Sequence, residues 1–378
     1  MSEKSLNKKV YLSVTNDLVA EQRVHKVALT LIKCGFKPVL VGIRFNNSKK
    51  HNNNLYETKQ LRILFKRTFL FYAEYNFRLF FYLIFKKVSF LVANDLDTLL
   101  ANYLVSKVKN LKLVYDSHEY YTEVPELNDR KLVKNIWLFI EKLILPKIKY
   151  SYTVCNSISD IYNQKYNINM KVVRNMPICD KREFEFRKYD IDNFVKGRKI
   201  ILYQGAVNVG RGINYVIDSM KFINDAVLVI IGDGQVKSEL EQSVKMNNLE
   251  DKVLFLGKIP FEDLIYYTKQ ADVGIILCQN ISKSYEFSLP NRIFDFIQFG
   301  VPILSSDLPE RRKIFEQANI GILTNNFEPE NLAKEIKKLL FDKDFTLRIK
   351  EKMKILSKKY CWEIEEKKLI EIFKSIMP

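Results

Sequence analysis

The chain has 378 residues, 47% of them hydrophobic and 28% charged, with a formal net charge of +17. Twelve glycines and ten prolines are too few for a disordered or linker-rich chain, and the length exceeds what one hydrophobic core usually organises, so two domains are expected. The charge points to an anionic partner, either nucleic acid, a phospholipid surface or a phosphorylated substrate, or else to a lysine-rich solvated surface, because the lysines are spread along the chain. The N-terminal MSEKSLNKKVYLSV passes from polar residues into a strand pattern and contains no signal-peptide core.

In chain order, strand patterns fall at 10–15, 38–43, 90–94, 111–116, 152–156 and 171–175. They are rich in Val, Leu and Ile without alternation, as strands buried on both faces of a parallel sheet are. Amphipathic stretches fill the gaps, such as 19–34. The segment Phe69–Phe85 is the most apolar, but it carries Glu74, Asn76 and Arg78 and is too short and polar to span a membrane. Lys66, Arg67, Lys86 and Lys87 flank it. It fits an aromatic helix packed on a sheet or one lying on an anionic membrane surface. Residues 179–198 turn polar and read as an interdomain connection. The pattern then restarts at 200–205, 227–232, 253–257, 273–278, 302–306 and 321–324, and a long amphipathic helix closes the chain at 358–377. Two such alternations imply an α/β protein of two doubly wound, Rossmann-like domains facing across a cleft, with ligands outside the carboxyl ends of the strands. The divisions are 1–178, 179–198, 199–357 and 358–378.

The candidate chemistry lies after strands. In SLPNRIFDFIQFGVPILSS (288–306), Pro290 suits a first turn and Gly300 a helix end, which predicts a helix from about 289. Its first amides form a site for a phosphate, and Asp295 is placed to reach a ribose hydroxyl or simply solvent. In LYQGAVNVGRGINYVIDSM (202–220), Gly205 ends a strand and Arg211 opens a helix; the glycine spacing alone is a weak signal and is not a Walker loop. IIGDGQ (230–235) reads first as a tight turn. YDSHEYYTEVPEL (115–127) sets His118 and Glu119 after a strand, where the histidine is either structural or an acid–base group. Asn16 or Asp17 can cap the first helix, Arg23 and Lys26 face the cleft or water, and Asp95 and Asp97 read most simply as helix caps. Five scattered cysteines, Cys34, Cys155, Cys179, Cys278 and Cys361, read as free thiols in a reducing compartment, and three dispersed histidines offer no zinc site.

TNDLVAEQRVHKVALTL, ANDLDTLL, YDSHEYYTEVPEL and VVRNMP resemble the first half of a bacterial branch of the retaining glycosyltransferases of family 4, of GT-B architecture. The Arg211-Gly212 loop, the turn Gly232-Asp233-Gly234, VLFLGKI, ADVGIIL and SLPNRIFDFIQFGVPIL continue that resemblance in order through the second half. The resemblance implies a donor site in the second domain. Asp295, where Glu is commoner, would hold the ribose. Ser288, Leu289, Pro290 and Asn291 would sit near the diphosphate, Arg211 would neutralise it, and Gly257, Lys258 and Ile259 would line the base. His118 would face the transferred sugar, with Asn16, Arg23 and Glu119 as acceptor-side candidates, and the last helix would cross back to the first domain.

Three features depart from the family pattern. Eight residues separate Glu286 from Asp295 where seven are usual, so Phe287 occupies the strictly spaced acidic position. Ala206 stands where a second basic residue is common, leaving Lys258, Lys283 or Arg292 to assist Arg211, and the first-domain loop lacks a glycine pair.

The resemblance implies transfer with retention from a nucleotide-diphosphate-sugar, with UDP or GDP as nucleotide, to a saccharide or lipid-linked acceptor, without metal or other cofactor. Glu286 remains a catalytic candidate beside His118 and Arg211. A cytoplasmic protein, peripheral at the inner face of a membrane, fits the composition. The rival readings are a sugar-nucleotide epimerase of the same architecture and a basic nucleic-acid-binding protein, the second resting on charge alone.

Overall fold

The computed structural model describes residues 8–18, 21–45, 55–65, 68–179 and 191–376, and the chain forms two compact units. Unit one comprises Met1–Asn175, Ser282–Ser284 and Glu365–Pro378; unit two comprises Met176–Ile281 and Tyr285–Ile364. The division thus falls at Asn175/Met176, just before the predicted connection, of which residues 180–190 lie outside the described residues.

In unit one, β1 (Lys9–Ser13), α1 (Gln22–Lys33), β2 (Lys37–Arg44), β3 (Glu57–Arg62), α2 (Thr68–Ile84), β4 (Phe90–Asn94), α3 (Leu96–Val108), β5 (Lys112–Ser117), α4 (Lys131–Ile144), β6 (Tyr150–Thr153), α5 (Asn156–Tyr166) and β7 (Lys171–Val172) alternate. The sheet order is β3-β2-β1-β4-β5-β6-β7, and Leu12 of β1 stands opposite Leu40 on one side and Val92 on the other. Strands β1 and β4 are apolar because helices cover both faces of the sheet. β3 is the strand that hydropathy does not mark: its sequence, ETKQLR, is mostly exposed at the sheet edge, and polar residues are what a solvated edge tolerates.

The Phe69–Phe85 segment forms most of α2, one face of which packs on the sheet. Tyr75, Leu79 and Leu83, at i, i+4 and i+8, are buried against the sheet, and the Tyr75 hydroxyl donates to the Val14 carbonyl at 2.6 Å. Phe77, 65% exposed, and Phe81 point outward. Among the described residues no helix is long and apolar enough to cross a membrane.

Unit two runs α6 (Asp192–Val195), β8 (Lys199–Gln204), α7 (Ile213–Ser219), β9 (Ala226–Ile231), α8 (Lys237–Met246), β10 (Val253–Gly257), α9 (Phe261–Gln270), β11 (Val273–Ile276), the short α10 (Lys283–Glu286), α11 (Arg292–Phe299), β12 (Ile303–Ser306), α12 (Pro309–Gln317), β13 (Gly321–Thr324), α13 (Pro329–Phe341) and α14 (Lys343–Lys359). Its parallel sheet has the order β10-β9-β8-β11-β12-β13. Strand order reverses between β8 and β11, and between β1 and β4 in unit one, which opens a crevice at the carboxyl ends of those strands.

The predicted C-terminal helix at 358–377 begins four residues later than expected. α14 ends at Lys359, and α15 (Trp362–Ile376) starts after a break at Tyr360–Cys361. From Glu365 onward α15 belongs to unit one. There the Glu366 carboxylate accepts from Thr30 at 2.8 Å and Lys33 at 2.7 Å, and Phe373 packs on Phe90 with ring centroids 5.9 Å apart.

Candidate active site

In unit two, the turns after β8, β9 and β10 line a pocket of about 770 Å³, walled by Gly205, Ala206, Gly232, Gly234, Lys258 and Ile259 among others. Two glycines make the wall possible. A Cβ on Gly232 (φ 151°) would lie 1.8 Å from the Gly205 carbonyl oxygen, and one on Gly205 (φ 135°) would lie 2.9 Å from Arg292 Nη1. The turn at 230–235 is therefore part of the pocket as well as a tight turn.

Beside this pocket stand three arginines. Arg211 lies over the Tyr285 ring at 4.2 Å. Arg292 is buried, lies over the Tyr203 ring at 4.6 Å and donates to the Gln204 carbonyl. Arg311, fully buried, donates to the Ile276 carbonyl at 2.8 Å and to the Ser288 hydroxyl at 3.1 Å. Burial pushes Arg311 down to about 10 against the help of Cys278, and the like charges of Arg292 and Arg211 add smaller contributions in the same direction as burial. Arg292 and Arg311 are thus held by backbone carbonyls and a hydroxyl, which position a guanidinium but leave its charge in place for an anion.

Asp295 sits half-buried on the first turn of α11, where Gln204 donates to its Oδ2 at 3.4 Å and in turn accepts from the Thr268 hydroxyl at 2.9 Å. This buried amide relay fixes the carboxylate at the end of β8. The helix start differs from the prediction: α11 begins at Arg292 with Asn291 as its cap, so Pro290 precedes it. The amides of Ile293 and Phe294 are already turned onto the carbonyls of Pro290 and Asn291, at 3.1 and 2.9 Å. Ser288 donates its hydroxyl to the Tyr285 carbonyl at 2.8 Å and accepts from Arg311, which makes it an anchor for that arginine. Leu289 is buried, Asn291 is exposed, and Glu286 ends α10 half-exposed, two residues before Ser288. Gly257 (φ 70°) ends β10 at the pocket rim next to Lys258.

Arg311 and Gln204 were not legible as site residues. In Glu310-Arg311-Arg312-Lys313 nothing in the sequence says which arginine turns inward; Arg312 is exposed and pairs with Asp307 at 2.7 Å. Gln204 is the last residue of an ordinary core strand, and its role depends on Thr268 and Asp295 arriving from distant helices.

Unit one holds a different arrangement, at the ends of β1, β4 and β5. His118 Nδ1 lies 3.2 Å from Asp95 Oδ2, and its Nε2 lies 3.4 Å from Asp116 Oδ2. Burial opposes the imidazolium, but Asp95 and Asp116 overcome it and hold the group up at about 9. Asp116 is fully buried; burial opposes its charge too, yet Arg23 and His118 bring it down to about 2. Burial and the neighbouring Asp95 push Asp97 up to about 8, and it accepts from the Thr15 hydroxyl at 2.5 Å. The two carboxylates therefore favour the imidazolium form of His118 at neutral pH.

Three expectations need correction here. Arg23 faces neither cleft nor water: it is 4% exposed, ion-paired with Asp116 at 2.7 Å and bonded to the Val173 carbonyl at 2.9 Å. Asp95 occupies the cap position of α3 without capping it. Its φ of 58° turns its carboxylate onto the His118 amide at 2.7 Å, a strained backbone that serves the histidine. Asp97 likewise bonds Thr15 rather than a helix end. Asn16 is exposed and donates to Glu21 at 2.5 Å, and Glu119 is exposed.

Among the described residues, Cys179, Cys361 and Glu363 bring ligand atoms within 4.8 Å of one another, at the break between α14 and α15. All five cysteines are free.

Residues 184–355 match the family described as Glycosyl transferases group 1. The chain is 22% identical over 266 residues, 66% of each chain, to alpha-D-kanosaminyltransferase of Streptomyces kanamyceticus. It is 25% identical over 224 residues, 58% of each chain, to a Campylobacter jejuni alpha-1,4-N-acetyl-D-galactosaminyltransferase whose name specifies a PP-undecaprenol-linked saccharide. It spans less than two thirds of the length of either relative. The structure of Anabaena HepE in complex with UDP-glucose superposes with a TM-score of 0.76, covering 97% of this chain and 99% of that one at 13% identity. The fold is that of the GT-B glycosyltransferases, and the family match with the named relatives supports a glycosyltransferase.

Proposed function

We propose that the chain transfers a sugar from a nucleotide-diphosphate-sugar to a hydroxyl of a saccharide or lipid-linked acceptor, with retention and without metal, as a family 4 enzyme of surface polysaccharide synthesis at the cytoplasmic face of a membrane. The observation that carries the reading is the arginine cluster: Arg311 is fully buried and pushed down to about 10 beside Arg292 and Arg211. Mutually repelling guanidiniums at the carboxyl edge of a Rossmann-like sheet are stabilised by a bound polyanion, and a diphosphate supplies one.

The adjoining glycine-walled pocket would take the UDP or GDP base and ribose, with Lys258 and Ile259 at its rim and Asp295, aligned by Gln204, accepting a ribose hydroxyl. In the reaction the bond from the anomeric carbon to the diphosphate oxygen breaks, the electron pair leaves with the diphosphate, and a new bond forms to the acceptor oxygen. Charge grows on the leaving group, where the arginines stabilise it more strongly in the transition state than in the ground state. His118, as an imidazolium, serves as a fixed positive group in unit one; the departing phosphate oxygen is itself a base for the acceptor proton.

The test is thermal unfolding with UDP, GDP and UDP-glucose. A ligand at about 100 times its Kd stabilises by about 2.7 kcal/mol, and the Arg311→Met protein should lose that response. No stabilisation by any nucleoside diphosphate or its sugar at millimolar concentration would end the donor-site reading. Release of nucleoside diphosphate only with an acceptor present separates transfer from epimerisation.

A further inference from the structure

Cys179, Cys361 and Glu363 come together in unit two from two segments remote in the chain; Cys179 and Glu363 are 184 residues apart, so no spacing pattern announces them. The backbone brings the segments side by side. The Trp362 amide donates to the Pro177 carbonyl at 2.8 Å, which lays residues 177–179 beside the start of α15. The Cys179 amide then donates to both carboxylate oxygens of Glu363, at 3.1 and 3.2 Å. Among the described residues, the two sulfurs and a Glu363 oxygen lie within 4.8 Å of one another. Cys361 is buried and Cys179 partly so. The Cys179 thiol donates to Gln298 Oε1 and to the Ser357 carbonyl, each at 3.6 Å, and the Cys361 thiol to the Lys358 carbonyl at 3.7 Å. Among the described residues, none of the three lines the glycine-walled pocket.

Two thiols and a carboxylate converging at this spacing are a donor set for a thiophilic cation. A tetrahedral Zn²⁺ with sulfur at about 2.3 Å and oxygen at about 2.0–2.2 Å holds its ligand atoms about 3.5–3.8 Å apart, so side-chain shifts of about 1 Å close this cluster around an ion. The donor types select the metal: thiolates suit Zn²⁺, whereas Mg²⁺ and Ca²⁺ take oxygen ligands. Glu363 is already aligned, because an amide bonded to a ligating carboxylate is what orients such a ligand. The Cys179 amide can stay on one oxygen while the other turns to the ion. Binding releases one proton from each thiol to solvent and forms two S–Zn bonds and one O–Zn bond, with water in the fourth position. Burial pushes the Cys179 thiol up to about 12, and its contact with Cys361 acts in the same direction. Its sulfur therefore stays protonated at neutral pH until a cation replaces the proton.

We propose that Cys179, Cys361 and Glu363 form a structural zinc site that fastens residues 177–179 to the start of α15. In sequence it adjoins both points where the chain passes between the units, Asn175/Met176 and Ile364/Glu365. The proposal goes beyond the donor-site reading and does not depend on it; the transfer reaction proposed above needs nothing from this ion. The experiment is titration of the full chain, reduced and stripped with chelator, with Zn²⁺ alone in competition with a chromophoric chelator, and with Co²⁺, whose thiolate charge-transfer absorption reports sulfur ligation. The wild type should take up one Zn²⁺ with a submicromolar Kd and show the cobalt–thiolate band. Loss of a partner outside the ligand shell typically weakens a zinc site about 10–100-fold, so Cys179→Ser should weaken this one at least about 100-fold and diminish the band. Glu363→Gln should weaken it at least about tenfold and keep the band. Cys34→Ser, a thiol outside the cluster, should leave both readouts unchanged. Melting in chelator checks that each variant is folded, and Glu363→Gln, which keeps the side-chain volume, carries the test if Cys179→Ser does not fold. Wild type that takes up no Zn²⁺ at micromolar concentration overturns the proposal, as does uptake that Cys179→Ser and Glu363→Gln leave unchanged. A Cys179–Cys361 disulfide that forms on mild oxidation in a chain taking up no zinc would assign the thiols to redox chemistry and also overturn it.

Discussion

Two charged clusters sit at equivalent places in the two sheets, the ends of the strands where the order reverses, and they are built on opposite principles. In unit one two cations, Arg23 and His118, face two carboxylates, Asp116 and Asp95, within 2.7 to 3.4 Å. In unit two Arg292 and Arg311 are held by carbonyls and a hydroxyl, and burial, with smaller contributions from Arg292 and Arg211, lowers Arg311. The first cluster is complete in itself, so it fixes geometry: removing one partner of a buried ion pair such as Arg23–Asp116 costs about 3–5 kcal/mol. In the second, three guanidiniums stand together, an arrangement that the proposed diphosphate would compensate.

The sharpest way to break the comparison is Arg211→Ala. If unit two's positive charge acts on the leaving group, turnover should fall about 10²–10³-fold with a smaller change in donor KM. Steady-state kinetics showing an unchanged kcat would remove Arg211 from the reaction. A smaller effect is expected at Asp295. Asp295→Asn keeps the volume and removes the charge, and a lost charge-assisted hydrogen bond of about 1.5–3 kcal/mol should raise the donor KM about tenfold or more with little change in kcat. A loss confined to kcat would place Asp295 at the reacting centre rather than at the ribose.

The smallest effect concerns unit one, and it is a pH dependence. With the folded value of His118 up at about 9, the stabilisation from its two carboxylates is complete below about 6.5, the ordinary histidine value, and is lost as pH rises through about 9. Asp97, up at about 8, has the same sign. Asp116, held at about 2, has the opposite sign: its contribution is present above about 3.8 and is lost as pH falls through about 2. Histidine side-chain NMR should therefore show one imidazole titrating near 9, absent in His118→Gln, and that variant's melting temperature should depend less on pH between 7 and 9. An imidazole at His118 titrating near 6.5 would mean that the cluster does not compensate itself.

Much of this molecule was legible before its structure. The buried strands announced themselves as apolar runs, since a parallel strand covered on both faces has little room for polar residues; β3, solvated at the edge, gave no such sign. Gly205, Arg211 and Asp295 stood out by position after strands. Arg23, Asp95 and Asp97 were misread because sequence neighbours suggested solvent and helix ends, whereas their partners, Asp116, His118 and Thr15, come from other elements.

The sequence by itself determined the two β/α alternations, the glycine turns and the residue types offered at each strand end, because these depend on local periodicity and backbone freedom. The tertiary structure alone decided which arginine of the 311–312 pair turns inward, that Gln204 aligns Asp295, that two carboxylates favour the imidazolium of His118, and that Cys179 meets Cys361 and Glu363. Each of these depends on which distant group lies within a few ångströms, and that is not written in the spacing of residues along the chain.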